Sequence, residues 1–165
     1  MNQELLETYV IPYYVSLDKL TENRYKPIIS LVQRPSFDKD IAELLEFRGW
    51  RNRVVATTIV GALKKDEYLL QFFNRAKKLD DFYLGGAYAF YMVMIGNTKA
   101  TEFVRQLCEI EPKSEYAENI QKFYKAAYEI LVGDIELEHD VRETSQQLRH
   151  QVEKWKNFAQ HHQHK

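Results

Sequence analysis

A single cysteine, Cys108, rules out an internal disulfide. It follows Phe103, Val104 and Leu107 at helical spacing, so it reads as a core residue rather than a nucleophile. Glycine and proline are scarce, 6 and 4 of 165 residues, which leaves no room for low-complexity linkers and little for long loops. Neither sign of charge is in excess: 23 Lys and Arg stand against 24 Asp and Glu, a net charge of −1. A chain so balanced has no overall field to draw in a phosphate backbone or an anionic membrane, and nucleic-acid binding is not expected. No stretch approaches the roughly 20 apolar residues needed to cross a bilayer. The N-terminal MNQELLETYV has neither the basic stretch nor the apolar run of a signal peptide. A cytoplasmic protein with no membrane partner is the expectation.

Signatures of chemistry are missing too. No GxGxxG spacing follows a strand, and the Ser, Thr and Cys residues have no His base beside them in sequence. Asp80-Asp81 falls in a predicted turn and suits helix capping. Glu136, Glu138, His139 and Asp140 are metal-type ligands, with Glu136 and Asp140 at i, i+4. Without a second His or a matching carboxylate helix, half of a di-metal site is absent. His161, His162 and His164 form only a terminal tract. No catalytic set, metal site or cofactor is therefore assigned.

What is present is enough apolar material for one core: 45% of residues are hydrophobic and 13% aromatic. A single domain of this size buries roughly 70% of the surface of its unfolded chain. The apolar pairs Ile59-Val60, Met94-Ile95 and Leu131-Val132 are each followed by glycine, at Gly61, Gly96 and Gly133, giving intervals of 35 and 37 residues. In a chain with helical patterning, such a period marks stacked helix hairpins that cover one another's apolar faces. Each glycine then falls at the corner between the two helices of a unit. The expected fold is all-α: an α-α superhelix of helix hairpins. Residues 1–49 form N-terminal helices, 50–133 three repeat units, and 134–165 a polar capping helix and tail.

Along the chain, Leu5, Leu6, Tyr9, Val10, Tyr13, Tyr14, Leu17 and Leu20 follow a helical spacing interrupted near Pro12. Pro27 starts and Pro35 ends a short helix through Ile28 to Val32. Ser36 is the expected N-cap of a helix through Ile41, Leu44 and Leu45, which Gly49 closes. The first unit pairs a helix through Val54 to Leu63 with one from Asp66 to Ala76. The second turns at Gly96-Asn97, and the third begins after Ser114 as N-cap. From Ile135 to Gln160 the chain is strongly polar, with an apolar seam of Val141, Leu148, Val152 and Trp155. Docking of that seam on the third unit is preferred over self-association.

Two-helix units of this length resemble HEAT repeats, over about residues 36 to 148. A more particular resemblance lies in Tyr9-Val10-Ile11-Pro12-Tyr13-Tyr14, in Trp50-Arg51-Asn52-Arg53 followed by Gly61, and in Gly86-Ala87-Tyr88-Ala89-Phe90 followed by Gly96. These are similar to a bacterial domain-of-unknown-function family with HEAT-like helices. The resemblance implies a fold and no activity.

Two surfaces are candidates for function. At the predicted start of a helix, Trp50, Arg51 and Arg53, with Gly86 and Tyr88, form a candidate site for an anionic small molecule, because free N–H groups there already favour an anion. The plainer reading packs Trp50 between repeats and pairs the arginines with Asp80, Asp81 or Glu46. Gly85-Gly86 near a helix start implies a close approach, by the preceding helix pair or by a ligand lying against Tyr88. The other surface is the mixed-charge face of the second helices: Gln71, Asn74, Arg75 and Lys78, then Glu102, Arg105, Gln106 and Glu109. Mixed sign suits a protein partner, and a protein-interaction module that scaffolds or neutralises another protein is the leading expectation. An enzyme or receptor for a small anion is the alternative.

Overall fold

A computed structural model of the chain describes residues 3–11, 28–47, 49–133 and 136–162. The expectations for Pro12 to Leu20, Pro27, Ile135 and His164 lie outside the described residues, as do the side chains of Ala159, His161 and His162. The chain is all-α, and among the described residues there is no strand. Helix α1 is Gln3–Leu5, continued by a π-helical turn over Leu6–Val10; α2 covers 28–32; α3 is Phe37–Glu46 and α4 is Trp50–Ala62. A 3-10 turn at Asp66–Tyr68 leads into α5, Leu69–Ala76. Then come α6, Phe82–Ile95; α7, Thr98–Cys108; α8, Glu115–Val132; and α9, His139–His162.

Helix α6 is the centre. Its sequence is apolar around the whole circumference, and Leu84, Gly85 and Ala87 to Met94 are buried. A helix with no polar face must be covered on every side. Accordingly α6 packs against α4 and α8 as its closest neighbours, and against α5, α7 and α9 as well. Asp81 caps its start by accepting a hydrogen bond from the Leu84 N–H at 3.2 Å, and Gly96 ends it in the left-handed conformation, φ 61°. Asn97 at once caps α7, accepting from the Ala100 N–H at 2.8 Å. This hairpin corner is the one expected.

Gly61 is different. It is not the corner itself but lies in the last turn of α4, and a Cβ there would sit 3.1 Å from the Tyr91 Cα of α6. The corner falls instead on Lys64, at φ 53°, and the Tyr91 hydroxyl fastens it by donating to the Lys65 carbonyl at 2.6 Å. The close approach at Gly85-Gly86 comes from α8, two helices further along the chain, not from the preceding pair: a Cβ on Gly85 would lie 2.8 Å from Ile120 Cγ2. Two further expectations shift. Ser36 stands at the start of α3 without capping it and donates to the Asp40 carboxylate at 2.8 Å; Gly49 caps the start of α4 rather than closing α3.

Ser114 caps α8 as its sequence predicts, accepting from the Ala117 N–H at 3.2 Å. Gln121 of α8 sets its amide N–H donors on the carbonyls of Leu107, Cys108 and Ile110, satisfying the otherwise orphaned end of α7. Helix α9 starts at His139, later than the polar stretch suggested. It buries Val141, Ser145, Leu148, Val152 and Trp155 against α8 and reaches α6 and α4, with the Trp155 ring 6.3 Å from Phe90. Glu129 of α8 holds it polar-side, accepting from Ser145 and Arg149, each at 2.6 Å.

The two adjacent glycines of α6 are expected to respond oppositely to alanine. At Gly86 the new methyl meets the Phe123 ring at ordinary distances of 3.5 to 3.7 Å. Relief of glycine's conformational entropy then raises stability by about 0.5–1 kcal/mol. At Gly85 the methyl overlaps Ile120, which is itself buried, so overpacking of about 1–3 kcal/mol outweighs the same gain. Urea denaturation of G85A and G86A checks this, and shifts of the same sign would contradict the packing described.

Candidate functional site

Two features gather at the end of the molecule where α4, α6 and α8 begin. One is a cleft of about 380 Å³ enclosed by the end of α3, α4, α5, α6 and α8. Arg53 enters it from α4, Arg75 and Lys78 from α5 and the turn after it, Asp80 and Asp81 from the α6 cap, and Glu46 from the end of α3. Tyr88 of α6 and Tyr124 of α8, both buried, line it with their phenols.

The polar groups are held in particular ways. Arg53 Nε donates to the Phe47 carbonyl at 3.2 Å, and Arg75 Nη1 donates to the Leu45 carbonyl at 3.2 Å, so both guanidinia are tied to the end of α3. Arg75 is half-buried and forms no ion pair among the described residues. Burial pushes the Tyr88 phenol above its ordinary range, while Arg75 and Arg53 work against that shift. Burial pushes Tyr124 up as well, but its charged neighbours are the acids Asp80 and Asp81, which act in the same direction.

The second feature is a row of rings outside the cleft. Trp50 at the start of α4 stacks on Tyr83 of α6, with centroids 4.0 Å apart and planes 12° from parallel. Phe82 stands edge-on to Tyr83 at 6.0 Å and to Phe123 at 5.1 Å, and lies 6.5 Å from Tyr116 of α8. The Tyr116 hydroxyl accepts from the Phe82 N–H at 2.9 Å, satisfying one of the free donors of that helix start. Arg51 lies over the Trp50 ring, 4.6 Å from its centroid.

The structure therefore divides the residues that the sequence grouped. Arg53 and Tyr88 line the cleft, Trp50 and Arg51 belong to the aromatic row, and Gly86 borders a separate groove with Phe123 and α9. Arg75 and Lys78 join the cleft, whereas Gln71 and Asn74 stay exposed on α5. On α7 the polar residues satisfy one another. Arg105 binds Glu102 through two nitrogens, at 3.0 and 2.8 Å, and also pairs with Glu109, and Gln106 donates to Glu102 at 2.8 Å. Asp140 pairs with Lys122 at 2.6 Å. Tyr124 and the exposed Phe82, Tyr83 and Tyr116 were not among the candidate site residues that the sequence offered. The available signal was the aromatic pair directly after the Asp80-Asp81 cap, at helix positions that precede the core-facing turns.

The chain matches no family model, no curated protein and no solved structure.

Several buried or half-buried acids share one direction of shift. Burial raises the Cys108 thiol from 9.0 to about 11, and raises Tyr88, Tyr91 and Tyr124 above 10.0. As pH rises, the unfolded chain releases these protons first and the native state holds more of them. Stability is thus full below the unfolded values and is lost as pH climbs toward the folded ones. The urea midpoint is expected to be flat near neutral pH and to fall once pH passes 9.0 and then 10.0. Cys108→Ala should delay the onset to the phenol range; a midpoint that stays level through both values would show these groups to be solvated.

Proposed function

We propose that the chain is a small HEAT-like helical-repeat module that binds another protein, as a scaffold or a neutralising partner, through the aromatic row at the starts of α4, α6 and α8. The side-by-side packing of α4, α6 and α8, and of α5 against α7, supports the repeat reading. The observation that carries the binding reading is the exposure of the row: Tyr83 is 57% and Tyr116 51% exposed, and Phe82 and the flanking Phe47 also face solvent.

Large rings held in contact with one another yet open to water are already ordered, so a partner that covers them loses little further side-chain entropy. Trp, Tyr and Arg are also the residue types that dominate binding energy at the centres of interfaces. The Trp50–Arg51–Tyr83 group supplies all three. By contrast, the Glu102–Arg105–Glu109 network on α7 is exposed and internally satisfied, which suits the rim of an interface.

Affinity capture from the native host should recover a protein in stoichiometric amount. With that protein in hand, Tyr83→Ala should weaken binding by about 2 kcal/mol, roughly thirtyfold, while Arg105→Glu changes it by less than about 1 kcal/mol. Circular dichroism checks that both variants keep their helices. Failure to recover any partner, or full-strength binding by Tyr83→Ala, would remove the row from this role.

A further inference from the structure

We propose that the cleft lined by Arg53, Arg75, Asp80, Asp81, Tyr88 and Tyr124 is a receptor site for a small zwitterion, a molecule of amino-acid to dipeptide size carrying both a carboxylate and an ammonium group. Its volume of about 380 Å³ lies in the range of small-molecule sites. Position and charge decide what it takes.

The charges of the cleft are anchored at two places: the Arg53 and Arg75 guanidinia at the end of α3, on the Phe47 and Leu45 carbonyls, and the Asp81 carboxylate at the start of α6, on the Leu84 N–H. At the first end, Arg75 is half-buried, donates to the Leu45 carbonyl, interacts with the Tyr88 phenol, and has no acidic partner among the described residues. A guanidinium placed that way is incompletely compensated, and its planar fork matches the two oxygens of a carboxylate. Arg53, fixed by its bond to the Phe47 carbonyl, lines the same cleft.

At the second end, Tyr124 is 1% exposed and its hydroxyl bonds to no other described residue, although it lines the cleft. Its phenol opens onto the cleft, so a ligand atom there replaces solvent as the partner of the hydroxyl. Asp80 is exposed at the rim, while Asp81 is fixed by its capping bond to the Leu84 N–H. Both favour an ammonium group.

The balance of charges excludes simpler ligands. A phosphate drawn to Arg53, Arg75 and Lys78 meets Glu46, Asp80 and Asp81 in the same small space, and a plain cation meets the converse. Only a ligand with both signs satisfies both ends. The small-anion alternative raised by the sequence is thereby narrowed to molecules that carry an ammonium group as well.

Isothermal titration of the full chain with each standard amino acid and glycylglycine is the test, with acetate, methylammonium and inorganic phosphate as single-charge controls. At least one zwitterion is expected to bind saturably and to raise the melting temperature by mass action, and the controls are not. Asp80→Asn, at an exposed position that leaves the fold intact, should weaken that zwitterion at least about tenfold; Arg75→Met should do the same, and Tyr124→Phe should weaken it several-fold. The proposal is overturned if no zwitterion binds at millimolar concentration, if phosphate binds as tightly as the best zwitterion, or if Asp80→Asn leaves the affinity unchanged.

Discussion

Helix α6 has no face that tolerates water, and that constraint arranges its neighbours. From Leu84 to Met94 nearly every side chain is buried, so α4, α5, α7, α8 and α9 are each held partly by the need to cover it. Hydrophobic burial alone does not set how near they come. The approach distances are fixed where side chains vanish: Gly61 lets α4 lie against the Tyr91 backbone, and Gly85 admits Ile120 of α8. Beside these dry contacts, a few hydrogen bonds fix positions along the helices, such as Tyr91 to the Lys65 carbonyl and Gln121 to the end of α7.

The helices were largely legible because their apolar spacing and caps agree. Asp81 and Ser114 cap where the sequence places them; Asn97, read only as a turn residue, caps α7, and Ser36, read as a cap, makes no capping bond. The repeated glycines were legible as a period but not as a single physical role. Gly96 adopts the left-handed turn, whereas Gly61 serves a helix crossing and Lys64 takes the turn without a glycine. One residue type answers two different demands, backbone conformation and absence of volume, and only the neighbours tell which is acting. The seam of α9 illustrates the same limit. Val141, Leu148, Val152 and Trp155 announce a buried stripe, but a stripe does not name its partner, and Ser145 within it depends on Glu129 from another helix.

The candidate site was legible in part. Arg53 and Tyr88 were singled out together and do share a cleft, because α4 and α6 pack side by side with both starts at one end. Trp50 and Arg51, their sequence neighbours, point elsewhere, since successive residues on a helix do not face the same way. Arg75 looked like a member of a polar outer face, yet its guanidinium reaches back to the Leu45 carbonyl across the space between α5 and α3. That contact joins segments 30 residues apart, and local patterning carries no trace of it.

Cleft and aromatic row are built from one short stretch of chain. Asp80 and Asp81 supply the acidic end of the cleft, Phe82 and Tyr83 the centre of the row, and Leu84 and Tyr88 the floor beneath them. The reason lies in how a helix begins. The cap must accept hydrogen bonds from free N–H groups, which selects Asp81, and the first turn projects beyond the neighbours that cover the rest of α6. Aromatic residues at that level cannot be buried by α4 or α8, so they meet the rings at those helices' own starts, Trp50 and Tyr116. A central helix that must be covered along its length leaves only its ends free to meet other molecules, and in this chain the polar and aromatic residues of interest collect at one of them.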